Sequence, residues 1–377
     1  MKWKLLGPVI VLLLSTSVVA QMSEPSDALA LEQQGKLAEA ADVWRSVIRQ
    51  NPNDAEALAS LGVILSKEHK YDEAASIYKK AIALNPKLPG VKLNLGLAEF
   101  KQGHFEAALA PLQAASAVDP HDQQASTLLG LSYYGAKRFA KAIQYLEPAA
   151  KSDPANVELR GVLAQSCLWA KNYSCALDEF HQILQLNPNS ASAHVLSGEA
   201  LDGLGRTSEA IVEFQAAAKA SPQESNVHFG LGYLFWKSHR YDDAKREFEA
   251  ELAFDPNHPQ ALAYLGDISI KRSDADAALD FLRRAVATNH DIRIAYLDLG
   301  GVLTEKKHYS EAVVALKRAV ELDPAQPDAH YRLGRAYQAM GDAEASRKEF
   351  AKVRELHEKA DEPLTSKMSA EPPPLPH

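Results

Sequence analysis

Cysteine is almost absent from this chain of 377 residues: there are two, Cys167 and Cys175. Two thiols with no paired histidines nearby are too few ligands for a structural zinc site. Aromatic residues are scarce as well, at 7%, so close contacts must rest on something other than bulky rings. No basic stripe is present; 41 Lys and Arg stand against 49 Asp and Glu, a formal net charge of -8, and a nucleic-acid surface normally needs the opposite balance. The 13 histidines form no His-Glu-x-x-His pattern, no glycine loop cradles a phosphate, and no strand-turn-helix context presents a nucleophilic serine. Acidic pairs such as Asp242 and Asp243 fall where helices begin, and there they complement the helix dipole. The expectation is a non-catalytic protein without metal or cofactor.

The one extended apolar run is at the N-terminus. Lys2 and Lys4 precede Leu5 to Leu14, and Val18-Val19-Ala20 end the segment with modest or small residues. This is the pattern of a secretory signal peptide over 1–20; the run carries Pro8 and is short against the roughly 20 residues of a spanning helix, and an uncleaved anchor is the alternative. The mature chain then begins at Gln21.

What the sequence has in abundance is period. Proline recurs at 52, 86, 120, 154, 188, 222, 256 and 324, every 34 residues with one gap at His290. Counting Gln21 as position 1 of the unit, position 8 is Gly or Ala in all ten copies, as in Gly62, Gly198 and Gly232. Position 20 is Ala in nine, as in Ala74 and Ala244, and position 24 is large and apolar throughout, from Trp44 to Phe350. Two antiparallel helices approach closely at the small residues, the bulky residue fills the space beside them, and proline stops the second helix. Position 15, the turn between the helices, holds Gly35, Gly103, Gly205 and Gly341 but also His69, Lys137, Lys171, His239, Ser273 and Lys307; glycine there suits a left-handed turn. Pro111 and Pro148 fall inside second helices, where bends are expected. His194, His228 and His330 share position 4, and are read as packing residues. A strict period of this size marks an array of identical supersecondary units, each in contact with its neighbours alone.

The unit resembles the tetratricopeptide repeat, through its small residues at positions 8 and 20, its large residue at 24, its proline at 32 and a leucine at position 7 in eight copies. Glu251, at position 27, departs from the small residue of that pattern. The resemblance implies an all-α, right-handed superhelical solenoid of about ten 34-residue helix-turn-helix repeats over 21–360, starting at 21, 55, 89, 123, 157, 191, 225, 259, 293 and 327. A helix from about Ala343 to Asp361 caps the array, and a proline-rich tail, 361–377, is expected to be disordered.

The resemblance also implies that positions 2, 5, 9, 12 and 13 of each first helix line a concave groove. Those positions hold Leu93 and Phe229; Leu97, Leu131, Glu199, Tyr233 and Asp267; Phe100, Tyr134, Leu168, Asp202 and Trp236; and Trp169. An exposed apolar and aromatic strip of this kind marks an interaction surface. Cys167 and Cys175 occupy positions 11 and 19 of one hairpin, across from each other near the turn. That placement and an oxidising compartment permit a disulfide; two buried thiols are the alternative. The expected partner is another protein or peptide segment, with no nucleic acid and no stable membrane insertion after signal removal. The expected place is the bacterial periplasm or the medium, and the expected role is in assembling or maturing an envelope or secretion complex. A spacer bridging envelope components and an accessory subunit of a polysaccharide-handling machine are the rival readings. Export makes a direct prediction: N-terminal sequencing of protein from its native host should start at Gln21, and a membrane-bound species retaining Met1 would contradict it.

Overall fold

A computed structural model describes residues 24–120, 122–223 and 226–361. Segment 1–20, expected from its sequence to be a signal peptide, and the tail from 362 lie outside the described residues. Among the described residues there are twenty α-helices and no strand. They alternate as first and second members of hairpins: α1 (Pro25–Gln33), α2 (Leu37–Gln50), α3 (Ala55–Lys67), α4 (Tyr71–Leu84), α5 (Val91–Lys101), α6 (Phe105–Val118), α7 (Gln123–Gly135), α8 (Phe139–Ser152), α9 (Val157–Trp169) and α10 (Tyr173–Leu186). The series continues with α11 (Ala191–Gly203), α12 (Thr207–Ala220), α13 (Val227–Lys237), α14 (Tyr241–Phe254), α15 (Pro259–Lys271), α16 (Ala275–Thr288), α17 (Arg293–Glu305), α18 (Tyr309–Leu322), α19 (Pro327–Met340) and α20 (Ala343–Asp361). The chain divides into two compact units after Ser166, and within each unit successive hairpins pack on one another.

The hairpins that carry glycine at position 8 close on the same contact. A methyl group added at Gly232 would stand 2.6 Å from the Phe248 ring, and one at Gly62 or Gly266 would meet Tyr78 or Leu282 just as closely. Glycine at position 8 therefore makes room directly for the large side chain at position 24 of its own repeat. Tyr78, Phe180, Phe248, Leu112, Leu146 and Leu282 are all essentially without solvent exposure, and each such burial is worth about 1.5–3 kcal/mol.

The turns are left-handed at every position 15. The backbone φ is 73° at Gly35 and 75° at Gly103, but also 58° at Lys137, 59° at Lys171 and 64° at Lys307. These lysines adopt, in the turn that joins the two helices, a conformation that costs an L-residue roughly 1–2 kcal/mol. Both internal prolines, Pro111 and Pro148, lie within continuous helices, α6 and α8.

The first helices are capped mainly from position 34. Asp54 accepts from the amides of Glu56 and Ala57, Asp122 from Ala125, Ser190 from Ala193, and His258 through Nδ1 from Ala261. Caps of this kind are worth about 1 kcal/mol each. Two first helices start late: α5 follows Gly90 at φ 73° and α13 follows Asn226 at φ 63°, both without a side-chain cap.

The geometry predicts the response to overpacking. Gly232→Leu drives a side chain into Phe248 in a core without slack and should lower stability by about 1–3 kcal/mol. Urea melts of the two proteins check it; equal midpoints would mean that the helix crossing does not lie at this residue.

Candidate functional site

The candidate surface is built from the first helices, and each unit presents its own stretch. In the unit before Cys167, Leu93, Leu97, Phe100, Leu131 and Tyr134 are all half-buried. The Tyr134 hydroxyl donates to Gln165 Oε1 at 2.5 Å. Phe100 meets Phe105 edge-on, with ring centroids 5.6 Å apart, and Tyr134 meets Phe139 at 6.1 Å. Position 12 thus leans on position 17 of its own repeat and reaches position 9 of the next.

In the unit from Cys167 onward the same relation recurs. Trp236 Nε1 donates to Asp267 Oδ2 at 2.6 Å, and Lys271 Nζ stands 3.1 Å from the other oxygen. Lys237 Nζ bonds Asp202 Oδ1 at 2.7 Å. Two residues expected on the surface are instead interior. Asp267 is 8% exposed because Trp236 and Lys271 close over it, and Leu168 is 7% exposed. Trp169 is exposed, as is Glu199, and Asp202, Phe229, Tyr233 and Trp236 are half-buried.

These residues gather around a ring that sequence reasoning missed. Tyr264, at position 6 of the next repeat, stacks on Phe248 at 5.4 Å, meets Trp236 edge-on at 4.9 Å and Tyr233 at 5.8 Å, and lies 6.1 Å from Phe229. Burial, helped by Tyr233 and Asp267, pushes its hydroxyl up to about 12. Phe229 also lies 4.9 Å from the His258 ring. The cluster holds Phe229 and Tyr233 in fixed orientation without covering them.

Beside the cluster a cavity of about 270 Å³ opens between α11 and α13, lined by Glu199, Asp202, Phe214, Asn226, Phe229, Gly230, Tyr233 and Leu234. Phe214 forms its floor, held between Gly198 of its own repeat and Gly230 of the next; a side chain at either glycine would collide with the ring. Desolvation raises the carboxyl of Glu199 above its ordinary value.

Other residues singled out in the sequence have structural partners. His194, His228 and His330 each place Nδ1 on a glutamate nineteen residues on, at 2.7, 2.8 and 2.6 Å from Glu213, Glu247 and Glu349. Nε2 of His194 and His330 faces the carbonyl of Pro188 and Pro324. Glu251 is buried, and its Oε2 accepts from the Phe229 amide at 3.0 Å. It supplies the N-terminus of α13 with the acceptor that Asn226 does not provide. Cys167 and Cys175 are joined by a disulfide, with Cα atoms 5.7 Å apart. Among the described residues no group of His, Cys, Asp and Glu could hold a metal, and no helix is long and apolar enough to cross a membrane.

A second cavity in this unit, about 320 Å³, lies between α17 and α19 and is lined by Ile270, Asp298, Tyr331, Arg332 and Arg335 among others. Asp298 is buried at its base and bonds Arg332 Nη1 at 3.0 Å. Burial outweighs that guanidinium and, with the charge of Asp267, pushes the carboxyl up to about 6 from 3.8. Between those two values the folded state retains a proton that the unfolded chain has released, so this group's contribution falls as pH rises from about 4 to about 6. In Asp298→Asn that penalty is absent. The stability of the variant relative to wild type should therefore improve by on the order of 3 kcal/mol between pH 4 and pH 7, read from urea melts across that range; a constant difference would contradict the burial argument.

A tetratricopeptide repeat model matches residues 27–89, 93–157, 163–225 and 229–292, a TPR repeat model matches 300–341, and another tetratricopeptide repeat model matches 328–360. No curated protein matches the chain. Solved structures similar to it include YrrB, described as a TPR protein with an unusual peptide-binding site, at 22% identity over 50% of this chain and 97% of that one, TM-score 0.41. MamA from Desulfovibrio magneticus RS-1 is 23% identical over 45% of this chain and 99% of that one, TM-score 0.40. The C-terminal part of a TPR repeat-containing protein from Cytophaga hutchinsonii is 21% identical over 64% of this chain and 99% of that one, TM-score 0.48. The repeat models cover most of the sequence and coincide with the observed hairpins, and the chain belongs to the tetratricopeptide repeat family.

Proposed function

We propose that the chain is an exported, non-catalytic scaffold that binds a polypeptide segment along its first helices. Its role on this reading is in assembling or maturing an envelope or secretion complex. Export rests on the charged start, short apolar core and small-residue end of segment 1–20. Polypeptide binding rests on one observation above others: Phe229 and Tyr233 are held by Tyr264, Trp236 and His258 yet remain partly open beside a cavity. Rings that are fixed in place before binding lose little freedom on contact, which is what an anchoring site requires. Leu97, Phe100, Leu131 and Tyr134 offer a comparable half-buried strip in the other unit. A spacer would have no use for such preorganised, unfilled space.

The test is a displayed library of random peptides selected against the full mature chain. Selected peptides should bind at least tenfold more weakly to Tyr233→Ser, since an aromatic anchor of this size contributes about 1.5–3 kcal/mol, while the circular dichroism of the variant stays unchanged. Peptides that bind both proteins equally would place the site elsewhere. Failure to select any peptide would favour the spacer, and selective retention of glycans on an array would favour the polysaccharide reading.

A further inference from the structure

We propose that the cavity between α11 and α13 receives the side chain of an arginine in the bound polypeptide, with Glu199 taking the guanidinium and Tyr233 and Phe229 lying against its flat face. The proposal rests on the polypeptide-binding reading above and names the chemistry that this part of the surface selects.

Charge is the first argument. The cavity lining carries two carboxylates, Glu199 and Asp202, and neither lysine nor arginine. Asp202 is already neutralised, with Lys237 Nζ at 2.7 Å. Glu199 has no hydrogen-bond or ion-pair partner among the described residues. The site therefore holds one uncompensated carboxylate, and one incoming cation balances it. The positive end of α13 lies nearby and would oppose a cation, but Glu251 already occupies the Phe229 amide with a carboxylate oxygen at 3.0 Å. That contact offsets the helix end from within the fold and leaves the field of Glu199 unopposed.

Size and shape are the second argument. About 270 Å³ lies below the range of pockets that enclose drug-sized ligands and suits one long side chain. Gly230 contributes no side chain, so the depth reaches the Phe214 ring. Phe229 and Tyr233 supply aromatic faces, and Tyr233 is fixed by Trp236 at 6.3 Å and Tyr264 at 5.8 Å. A planar, weakly hydrated guanidinium stacks on such faces while its N–H groups meet a carboxylate; the compact, strongly hydrated ammonium of lysine does this less well. An acidic side chain would meet Glu199, and a neutral one would leave the carboxylate partly desolvated and unpaired.

The experiment uses a synthetic array of random-sequence decapeptides probed with the full mature chain. Each binder is then resynthesised with arginine, lysine, citrulline or leucine at every basic position. Binders should share an arginine whose replacement by citrulline, which keeps the shape and removes the charge, weakens binding about tenfold or more, with lysine between the two. Glu199→Gln should bind the arginine and citrulline forms alike. Glu199 is exposed, and thermal melting checks that the variant folds; should it not, the citrulline and lysine series on the native chain still decides. Binders that are weakened by Tyr233→Ser but show no arginine preference, or a Glu199→Gln protein that still discriminates arginine from citrulline, would overturn this inference and leave the polypeptide-binding reading intact. An array with no binder at all would overturn both.

Discussion

The approach of the glycine at position 8 to the large side chain at position 24 is the contact on which the other features depend. It recurs within each repeat that carries the glycine, from Gly62 with Tyr78 to Gly334 with Phe350. Because the ring or branched chain lies over the backbone of its partner helix, it also presents an edge to the hairpin that follows. Phe214 touches Gly230, and Phe248 stacks on Tyr264. One side chain thus closes its own hairpin and seats the next. A single hairpin buries too little to stand alone, and the shared side chains turn a series of weak units into an array whose stability is carried by neighbour contacts.

A second cross-hairpin pair, between positions 4 and 23, shows how much chemistry the frame tolerates. Leu58 and Ile77, or Leu262 and Phe281, are apolar at those positions. In other repeats the same places hold His194 with Glu213, His228 with Glu247 and His330 with Glu349. The net contribution of such a hydrogen bond is small, since folding exchanges bonds to water for it. What the imidazole adds is reach: with one nitrogen on the glutamate and the other on the carbonyl of Pro188 or Pro324, it ties two helices and the preceding turn together. This accounts for histidines at one phase of the repeat without any metal.

The phase of the small, large and proline residues carried the hairpins, because those residues act within one repeat at fixed spacing. It also placed the turn at position 15, where glycine suits a left-handed backbone; that Lys137, Lys171 and Lys307 adopt it too came from the fold. The surface was less legible. Whether a residue at position 9 or 12 faces solvent depends on what the next repeat places 31 residues on, and that stagger is not written in any single unit. Asp267 looked like a surface acid and is covered by Trp236; Leu168 looked like a groove residue and is buried. Tyr264 stands at position 6, outside the positions expected to matter, and became visible only as the ring on which Phe229, Tyr233 and Trp236 converge. Glu251 was noticed as a departure, but its use as an acceptor for the Phe229 amide required the fold.

Departures from the repeat are not scattered evenly, and their coincidence bears on function. Three meet at α13. The helix starts late after a left-handed Asn226, its backbone carries Gly230 against Phe214, and its Phe229 amide is served by a buried Glu251. Each has a cost alone: a left-handed turn is disfavoured for residues other than glycine, least so for asparagine, a mid-helix glycine loses about 1 kcal/mol against alanine, and a buried carboxylate resists desolvation. All three border the cavity between α11 and α13, whose lining includes Asn226, Phe229, Gly230 and Phe214. Local rules broken together at one place are expected at functional sites. The acid left without a partner there, Glu199, gives that opening a sign.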